Sequence, residues 1–233
     1  MPYFYGFDWT YIVIVLPCII ISIIASARVN STFKRYSKQI SSRRITGSEA
    51  AMRVLRANGI TNVRIERVRG HLTDHFSPKT NVIRLSESVY DSTSTAAIGV
   101  ACHEAGHAVQ YAQEYAPIKL RTAIIPVTNI GSMLAMPLIL IGLLFTASYE
   151  LVYIGIALFS LSLIFQLITL PVEFNASRRA MEAIESTEIL NDEELKGARR
   201  TLTAAAMTYV AAVAVSAAQL LRLIILFGGR RDD

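Results

Sequence analysis

Four long apolar stretches, separated by polar ones, dominate the hydropathy pattern of this sequence. They cover residues 9–27, 124–145, 151–170 and 203–227, and each is about long enough to cross a bilayer as a helix. The second and third stretches are joined by only a few residues, which predicts a transmembrane hairpin over residues 124–170. Arg222 lies inside the last stretch and weakens the prediction of a full span, so we expect three or four transmembrane helices.

The first apolar stretch has two interpretations. Ala25-Ser26-Ala27 resembles the cleavage site of a signal peptide. However, no positive charge precedes the stretch, and its one ionised side chain is Asp8. The pattern therefore favours a retained membrane anchor over residues 9–27.

The polar stretch over residues 28–121 predicts a small mixed domain. A helix is expected to start at Thr46-Gly47-Ser48 and another to run from about Ser94 to Glu114. Between them, Val63–Val68 alternates apolar and polar residues, and Val82–Leu85 is a second short strand. Residues 171–202 are again polar and helical, and Pro171 is expected to end or kink the preceding span. The predicted fold is mostly α, with a small α+β catalytic part beside the membrane helices.

Composition and charge agree with a membrane protein. Hydrophobic residues make up 52% of the 233 residues and charged ones only 18%. The net charge of +5 does not indicate a nucleic-acid partner, because the basic residues cluster beside the apolar stretches. By the positive-inside rule, these clusters place the polar domain in the cytoplasm of a multi-pass membrane protein. Arg230 and Arg231 are exceptions, since a spanning last stretch would put them outside.

The candidate chemistry lies in the sequence HEAGH at His103–His107. The two histidines are one helical turn apart, so both side chains leave the same face and can bind one metal ion. Glu104 is displaced by about 100° around the helix, where it can act as a general base on a metal-activated water. Imidazole ligands favour zinc over iron, cobalt or manganese. An ordinary helix with two histidines is the alternative, but polar side chains are costly in the apolar run Ala96–Val109.

A third ligand must come from elsewhere in the chain. The polar helix after Pro171 offers Glu173, Glu182, Glu185 and Glu188. Spacing alone does not choose among these residues. The hairpin returns the chain to the cytoplasmic face at Pro171, which brings Glu173 in nearest to the bilayer.

Three segments together, LTDHFSP, HEAGHAVQ and PVEFNASRRA, resemble the YugP-type neutral zinc metallopeptidase family of bacterial membrane proteins, over nearly the whole chain. More distantly, they are similar to the HtpX and CAAX-prenyl type membrane gluzincins. That resemblance implies one zinc ion per chain with Glu173 as the third ligand. It also implies that position 177, an Asp in the distant families, orients a ligand histidine. Here the residue is Ser177, which can do so only weakly.

The resemblance further implies a substrate-binding edge strand at residues 72–76. His75 and Arg178 are candidates to stabilise the oxyanion, and Asp74 belongs to the same segment. The alternative is that Asp74 and His75 are turn residues that pair with each other.

These observations predict a zinc endopeptidase of the bacterial plasma membrane, with its active site on the cytoplasmic side. Its partners would be the lipid bilayer and protein or peptide substrates, by resemblance membrane proteins or membrane-proximal segments. One alternative is a zinc-binding regulatory scaffold without proteolytic activity, although such a scaffold needs no base at Glu104. Another is a metal carrier, for which the spans contain few polar groups.

Overall fold

The fold comprises six α-helices and three β-strands within residues 8–144 and 149–228, which the computed structural model describes. Residues 145–148, in the predicted connection between the second and third apolar stretches, lie outside the described residues. So do Arg230 and Arg231, whose side of the membrane was a question of the sequence analysis. The elements follow in the order α1 (Leu16–Tyr36), α2 (Gly47–Ala57), β1 (Arg64–Val68), β2 (His75–Ser77), β3 (Val82–Ser86), α3 (Thr95–Ala112), α4 (Ala116–Leu144), α5 (Tyr149–Ser186) and α6 (Asp192–Phe227). A π-helical segment, Tyr11–Val15, leads into α1.

Within the described residues, four helices are long and apolar enough to cross a membrane: α1 with its π-helical segment, α4, α5 and α6. Their most apolar 18-residue windows have a mean hydropathy between 2.0 and 2.6, and few of the residues in those windows are buried. The prediction of a mostly α membrane protein with a small α+β part is therefore confirmed. Pro171 was expected to end or kink the third span; it does not end the helix, because α5 continues through it to Ser186. Spanning helices tolerate proline where neighbouring groups satisfy the freed backbone.

One of two compact units consists of Met1–Ala25, Leu120–Thr169 and Thr208–Asp233, the membrane unit. Arg222 is accommodated here by an ion pair. Its Nε donates to Asp8 Oδ2 at 2.8 Å, and the guanidinium carbon lies 5.4 Å from the ring centroid of Tyr11. The charge in α6 is thus compensated within the membrane unit.

The other unit, the polar unit, consists of Ser26–Lys119 and Leu170–Met207. Its sheet has the order β1-β3-β2, with β1 parallel and β2 antiparallel to the buried central strand β3. Helix α2 begins with a capping box between Thr46 and Glu49, and Ser94 caps α3 through the amide of Ala97. Both predicted strands and both predicted helices of this region are present.

Helix α3 runs through the core of the polar unit, and small residues allow its neighbours to approach closely. A Cβ at Gly106 would lie 2.7 Å from the carbonyl oxygen of Ala176 in α5. A Cβ at Gly99 would lie 3.2 Å from the Cβ of Ala198 in α6. This packing holds the helix with the HEAGH sequence directly against the helix with Glu173.

Candidate metal centre

Helices α3 and α5 bring His103, His107 and Glu173 together. Nε2 of His103 lies 3.3 Å from Oε2 of Glu173, and Nε2 of His107 lies 3.5 Å from the same oxygen. The three potential ligand atoms lie within 4.8 Å of one another. The side chains are nearly enclosed, with exposed fractions of 14%, 11% and 4%. Two imidazoles and one carboxylate form a donor set that is typical of catalytic zinc sites.

The first imidazole is oriented by α5. Ser177 Oγ lies 3.1 Å from Nδ1 of His103, on the ring edge that faces away from Glu173. Ser177 follows Glu173 by one helical turn, so a single helix supplies a ligand and contacts a second one. This contact leaves Nε2 of His103 directed toward the other two ligand atoms.

The second imidazole is oriented by a longer hydrogen-bond chain. Gln110 Nε2 donates to the carbonyl oxygen of Val172 at 2.8 Å, which fixes the direction of its amide. Its Oε1 therefore faces Nδ1 of His107 at 3.0 Å, and this nitrogen must carry the proton. Nε2 of His107 is then the unprotonated nitrogen, as metal binding requires.

This chain is anchored at the surface by an arginine. Asn175 Oδ1 accepts from Gln110 Nε2 at 2.9 Å and from Arg179 Nε at 2.7 Å. Arg179 can only donate, so it fixes the Asn175 oxygen and, through it, the Gln110 amide. Three side chains and one backbone carbonyl thus determine the tautomer of one candidate ligand histidine.

Electrostatics also favour a cation at this centre. Burial alone would lower the pKa of His107, but the Glu173 and Glu104 carboxylates raise it above its usual range. The positively charged form of His107 is thus stabilised by the carboxylates of Glu173 and Glu104. A divalent cation held by the same atoms would be stabilised for the same reason, so the residues present fit a zinc ion.

Glu104 is buried beside the ligands, with an exposed fraction of 8%. Among the described residues, no side-chain hydrogen bond or ion pair engages its carboxylate. Its carboxylate is therefore available to accept a proton or a hydrogen bond from a group that binds at this centre. Its position next to His103 is that of a base available for proton transfer.

An edge strand is present, but it covers His75–Ser77 and not residues 72–76, and Asp74 lies just before its start. β2 lies at the edge of the sheet, with His75 opposite Arg84 of β3. Asp74 accepts hydrogen bonds from the amide and hydroxyl of Ser86 at 2.7 and 3.0 Å. Burial raises the pKa of Asp74, and the negative charge of Glu104 raises it further. The hydrogen bonds from Ser86 lower this pKa but do not cancel the rise.

Asp74 and His75 do not pair with each other, contrary to the alternative interpretation of this segment. Nδ1 of His75 lies 2.9 Å from the carbonyl oxygen of Thr73, and Nε2 lies 3.5 Å from the guanidinium of Arg84. The His75 side chain is exposed, because successive residues of a strand point to opposite faces.

The remaining candidate residues lie outside the ligand cluster. Arg178 forms an exposed ion pair with Glu182, with a nitrogen–oxygen distance of 2.7 Å. Glu188 pairs with Arg43 at 3.1 Å, and Glu185 is exposed. None of these three glutamates belongs to the His103–His107–Glu173 group.

Gln110, Asn175 and Arg179 are functional candidates that the sequence analysis missed. All three lie within the segments HEAGHAVQ and PVEFNASRRA, which carried the resemblance. Their helical spacings were a usable signal: Gln110 follows His107 by three residues, and Arg179 follows Asn175 by four.

Comparison with known proteins gives a family match over almost the whole chain. The family model described as "Putative neutral zinc metallopeptidase" matches residues 11–228. The chain is 47% identical over 209 residues to the "Putative membrane protease YugP" of Bacillus subtilis (strain 168), covering 90% of this chain and 92% of that protein. No solved structure matches the chain. The matched range includes the apolar helices as well as His103, His107 and Glu173.

Proposed function

The chain belongs to the neutral zinc metallopeptidase family, and from this premise we propose that it is a zinc-dependent endopeptidase of the gluzincin type that cleaves membrane or membrane-proximal proteins. The observation that carries the proposal is the convergence of His103, His107 and Glu173 beside a buried, unpartnered Glu104. A structural zinc site would be closed by a fourth protein ligand. Among the described residues, no fourth ligand joins this group.

The side chains have separable roles in peptide hydrolysis. His103, His107 and Glu173 would hold one zinc ion, which supplies Lewis-acid polarisation of a carbonyl and lowers the pKa of water when bound. Glu104 would take a proton from the attacking water and deliver it to the leaving amine. Ser177 and Gln110 keep the histidine rings in the orientation that binding requires.

The edge strand β2 would bind the substrate. Its free edge can accept an extended peptide as an additional strand, with main-chain hydrogen bonds providing affinity. Asp74 supports this role indirectly by fixing the start of β2 to Ser86. His75 and Arg178 would donate hydrogen bonds to the oxyanion, each after leaving its present neighbour.

We further propose that the polar unit faces the cytoplasm of a bacterial cell. The basic residues near the spans support this orientation through the positive-inside rule. They are Arg28, Lys34, Arg35, Lys38, Arg43, Arg44, Lys119, Arg121, Arg178, Arg179, Lys196, Arg199 and Arg200. The opposite ends carry Asp8 and Glu150.

The proposal is tested by metal content and proteolysis of the detergent-purified chain. Wild type is expected to hold about one zinc per chain, and Glu173→Gln much less, because a ligand carboxylate is lost. Glu104→Gln is expected to retain zinc but to cleave a denatured casein or membrane-protein substrate at least about a hundredfold more slowly. Glu185→Gln, an exposed residue on the same helix but outside the ligand group, is the matched control and should retain both properties.

Two outcomes would contradict the proposal in different ways. Wild type without bound metal, even after zinc is supplied, would refute the metal centre itself. Zinc-loaded wild type and Glu104→Gln with equal activity would indicate a regulatory zinc scaffold instead of a peptidase. Zinc transport into proteoliposomes by wild type would favour the metal-carrier alternative.

A further inference from the structure

A second candidate binding site is a cavity of about 880 Å³ between the end of α1 and the start of α6, entirely within the polar unit. Its size falls within the usual range for pockets that bind small organic ligands. None of the three zinc-ligand candidates lines it. The cavity is therefore distinct from the metal centre.

The cavity is strongly basic. Arg28, Arg35 and Arg200 line it, and none of its lining residues is acidic. Among the described residues, no carboxylate forms an ion pair with any of these three arginines. Three guanidinium groups without counter-charges around one cavity favour an anionic ligand.

Tyr36 holds two of these arginines at the cavity wall. The Tyr36 hydroxyl accepts a hydrogen bond from Arg200 at 3.2 Å, and the guanidinium of Arg35 lies 5.5 Å from the centroid of the Tyr36 ring. The hydroxyl groups of Thr32 and Thr203 add neutral donors to the same lining. Guanidinium and hydroxyl donors are together the groups that bind phosphate oxygens.

The position of the cavity along both helices points to a lipid. In α1, Arg28 comes directly after the apolar stretch of residues 9–27. In α6, Arg200 precedes the apolar stretch of residues 203–227, and the exposed Met207 belongs to both that stretch and the cavity lining. Each helix therefore changes from polar to apolar at the cavity, as it does at the boundary between lipid headgroups and acyl chains.

We propose that this cavity binds the headgroup phosphate of an anionic phospholipid. Arg28, Arg35 and Arg200 bind the phosphodiester, the threonine hydroxyls bind neighbouring headgroup oxygens, and Met207 contacts the first methylenes of an acyl chain. Basic pockets between transmembrane helices are known to bind anionic headgroups in this manner. Free phosphate has the same anionic chemistry but no apolar part to contact Met207.

Bound lipid would also stabilise the helix that carries the candidate zinc ligands. The carbonyl oxygen of Tyr36 accepts a hydrogen bond from the hydroxyl of Thr95, the first residue of α3, at 3.3 Å. The amide of Thr95 donates to the carbonyl oxygen of Gln39 at 2.9 Å. A ligand that holds Tyr36 in place therefore supports the start of α3.

The test is a binding titration of the full-length, detergent-purified chain with dioleoylphosphatidylglycerol. Arg28→Gln/Arg35→Gln should weaken binding roughly ten- to thirtyfold, because two of the charges that attract the headgroup are lost. Arg53→Gln/Arg56→Gln is the matched control, since it removes two exposed charges from α2, outside the cavity. The control should bind within about twofold of wild type, and phosphatidylcholine should bind wild type far more weakly than phosphatidylglycerol.

Folding is checked by the melting temperature without lipid, which should be equal in wild type and both double variants. The single variant Arg28→Gln is a second test of lipid binding, because it leaves Arg35 and Arg200, which contact Tyr36, unchanged. Equal binding by the cavity variant and the control would overturn the proposal. So would displacement of phosphatidylglycerol by inorganic phosphate at equal concentration, or tighter binding of an acidic peptide. These outcomes are independent of zinc content and proteolysis.

Discussion

At the scale of single residues, the metal centre depends on more than its ligands. A histidine binds a metal only through an unprotonated nitrogen, so the proton must be kept on the other ring nitrogen. Ser177 contacts Nδ1 of His103, and Gln110 holds the proton on Nδ1 of His107. His107 is therefore prepared for binding through Nε2, and the Ser177 hydroxyl can accept the Nδ1 proton of His103 in the same arrangement.

This arrangement predicts that Gln110→Leu weakens zinc binding about ten- to a hundredfold. The leucine has nearly the same size but cannot accept the Nδ1 proton, and the carbonyl of Val172 loses its donor as well. Competition with a chelator at equilibrium would measure the change in zinc affinity.

Gln113→Leu is the matched control for this prediction. Gln113 lies near the same helix end and accepts a hydrogen bond from Arg179 at 2.5 Å, but it does not contact a candidate ligand. Its zinc affinity should remain within about threefold of wild type. Equal losses in the two variants would contradict a specific role of Gln110 in orienting His107.

At the scale of elements, the centre depends on the close approach of α3 and α5. Ala105 and Gly106 lie between the two histidines, and such small residues leave the helix face open to close approach. The structure identifies the contact as the backbone of Ala176, three residues after Glu173. Helix separation and ligand distance are therefore set by the same pair of residues.

We expect Gly106→Ala to lower both the stability of the chain and its zinc affinity. Alanine has the better helix propensity by about 1 kcal/mol, but its Cβ would meet the Ala176 oxygen at 2.7 Å and push the helices apart. Overpacking of this kind costs about 1–3 kcal/mol. Thermal unfolding and chelator competition in detergent would measure the two effects.

Gly99→Ala separates these effects. It lies on the same helix and makes a milder contact, 3.2 Å to the Cβ of Ala198 in α6, which carries no candidate ligand. This variant should retain wild-type zinc affinity whatever its melting temperature. A wild-type zinc affinity in Gly106→Ala would refute the link between helix separation and metal binding.

The elements that the sequence predicted correctly have strong local signals. Thr46 and Ser94 occur as predicted at the starts of α2 and α3, because a capping hydrogen bond involves only a few neighbouring residues. Pro171 was expected to end or kink the helix, and α5 continues through it. A proline within a helix always removes one backbone hydrogen bond, and this loss can be read from the sequence. Whether the helix continues depends on neighbouring groups that satisfy the freed backbone, which the sequence does not show.

The candidate site was less predictable, because its contacts join residues far apart in sequence. Spacing placed His103 and His107 on one face, yet it left four glutamates as possible third ligands. The family resemblance pointed to Glu173, and tertiary packing separates this buried residue from the exposed Glu182, Glu185 and Glu188. The same holds for Gln110, whose partners Val172 and Asn175 lie more than 60 residues away.

At the scale of the whole molecule, long helices connect the membrane with the candidate metal centre. Helix α5 contributes both apolar residues of the membrane unit and Glu173 of the polar unit. Helix α6 likewise continues from the polar start at Asp192 into the last apolar stretch. Each of these two helices is continuous across the residues at which the chain passes from one unit to the other.

The membrane unit is closed by an interaction between the two ends of the chain, which leads to a final prediction. Asp8 precedes the first span, Arg222 lies in the last one, and their side chains are mostly buried, with exposed fractions of 33% and 19%. Arg222→Gln should lower the free energy of unfolding by about 1–3 kcal/mol, because it leaves a partly buried carboxylate without its partner.

A double-mutant cycle would isolate this interaction. Asp8→Asn and Arg222→Gln are measured singly and together by thermal unfolding in detergent, and the double variant should lose less stability than the sum of the two single losses. The charge-swapped chain, Asp8→Arg with Arg222→Asp, should regain part of the stability, since it restores an ion pair of opposite direction. Strictly additive losses, together with no recovery in the swapped chain, would mean that the two ends of the chain do not stabilise each other through this pair.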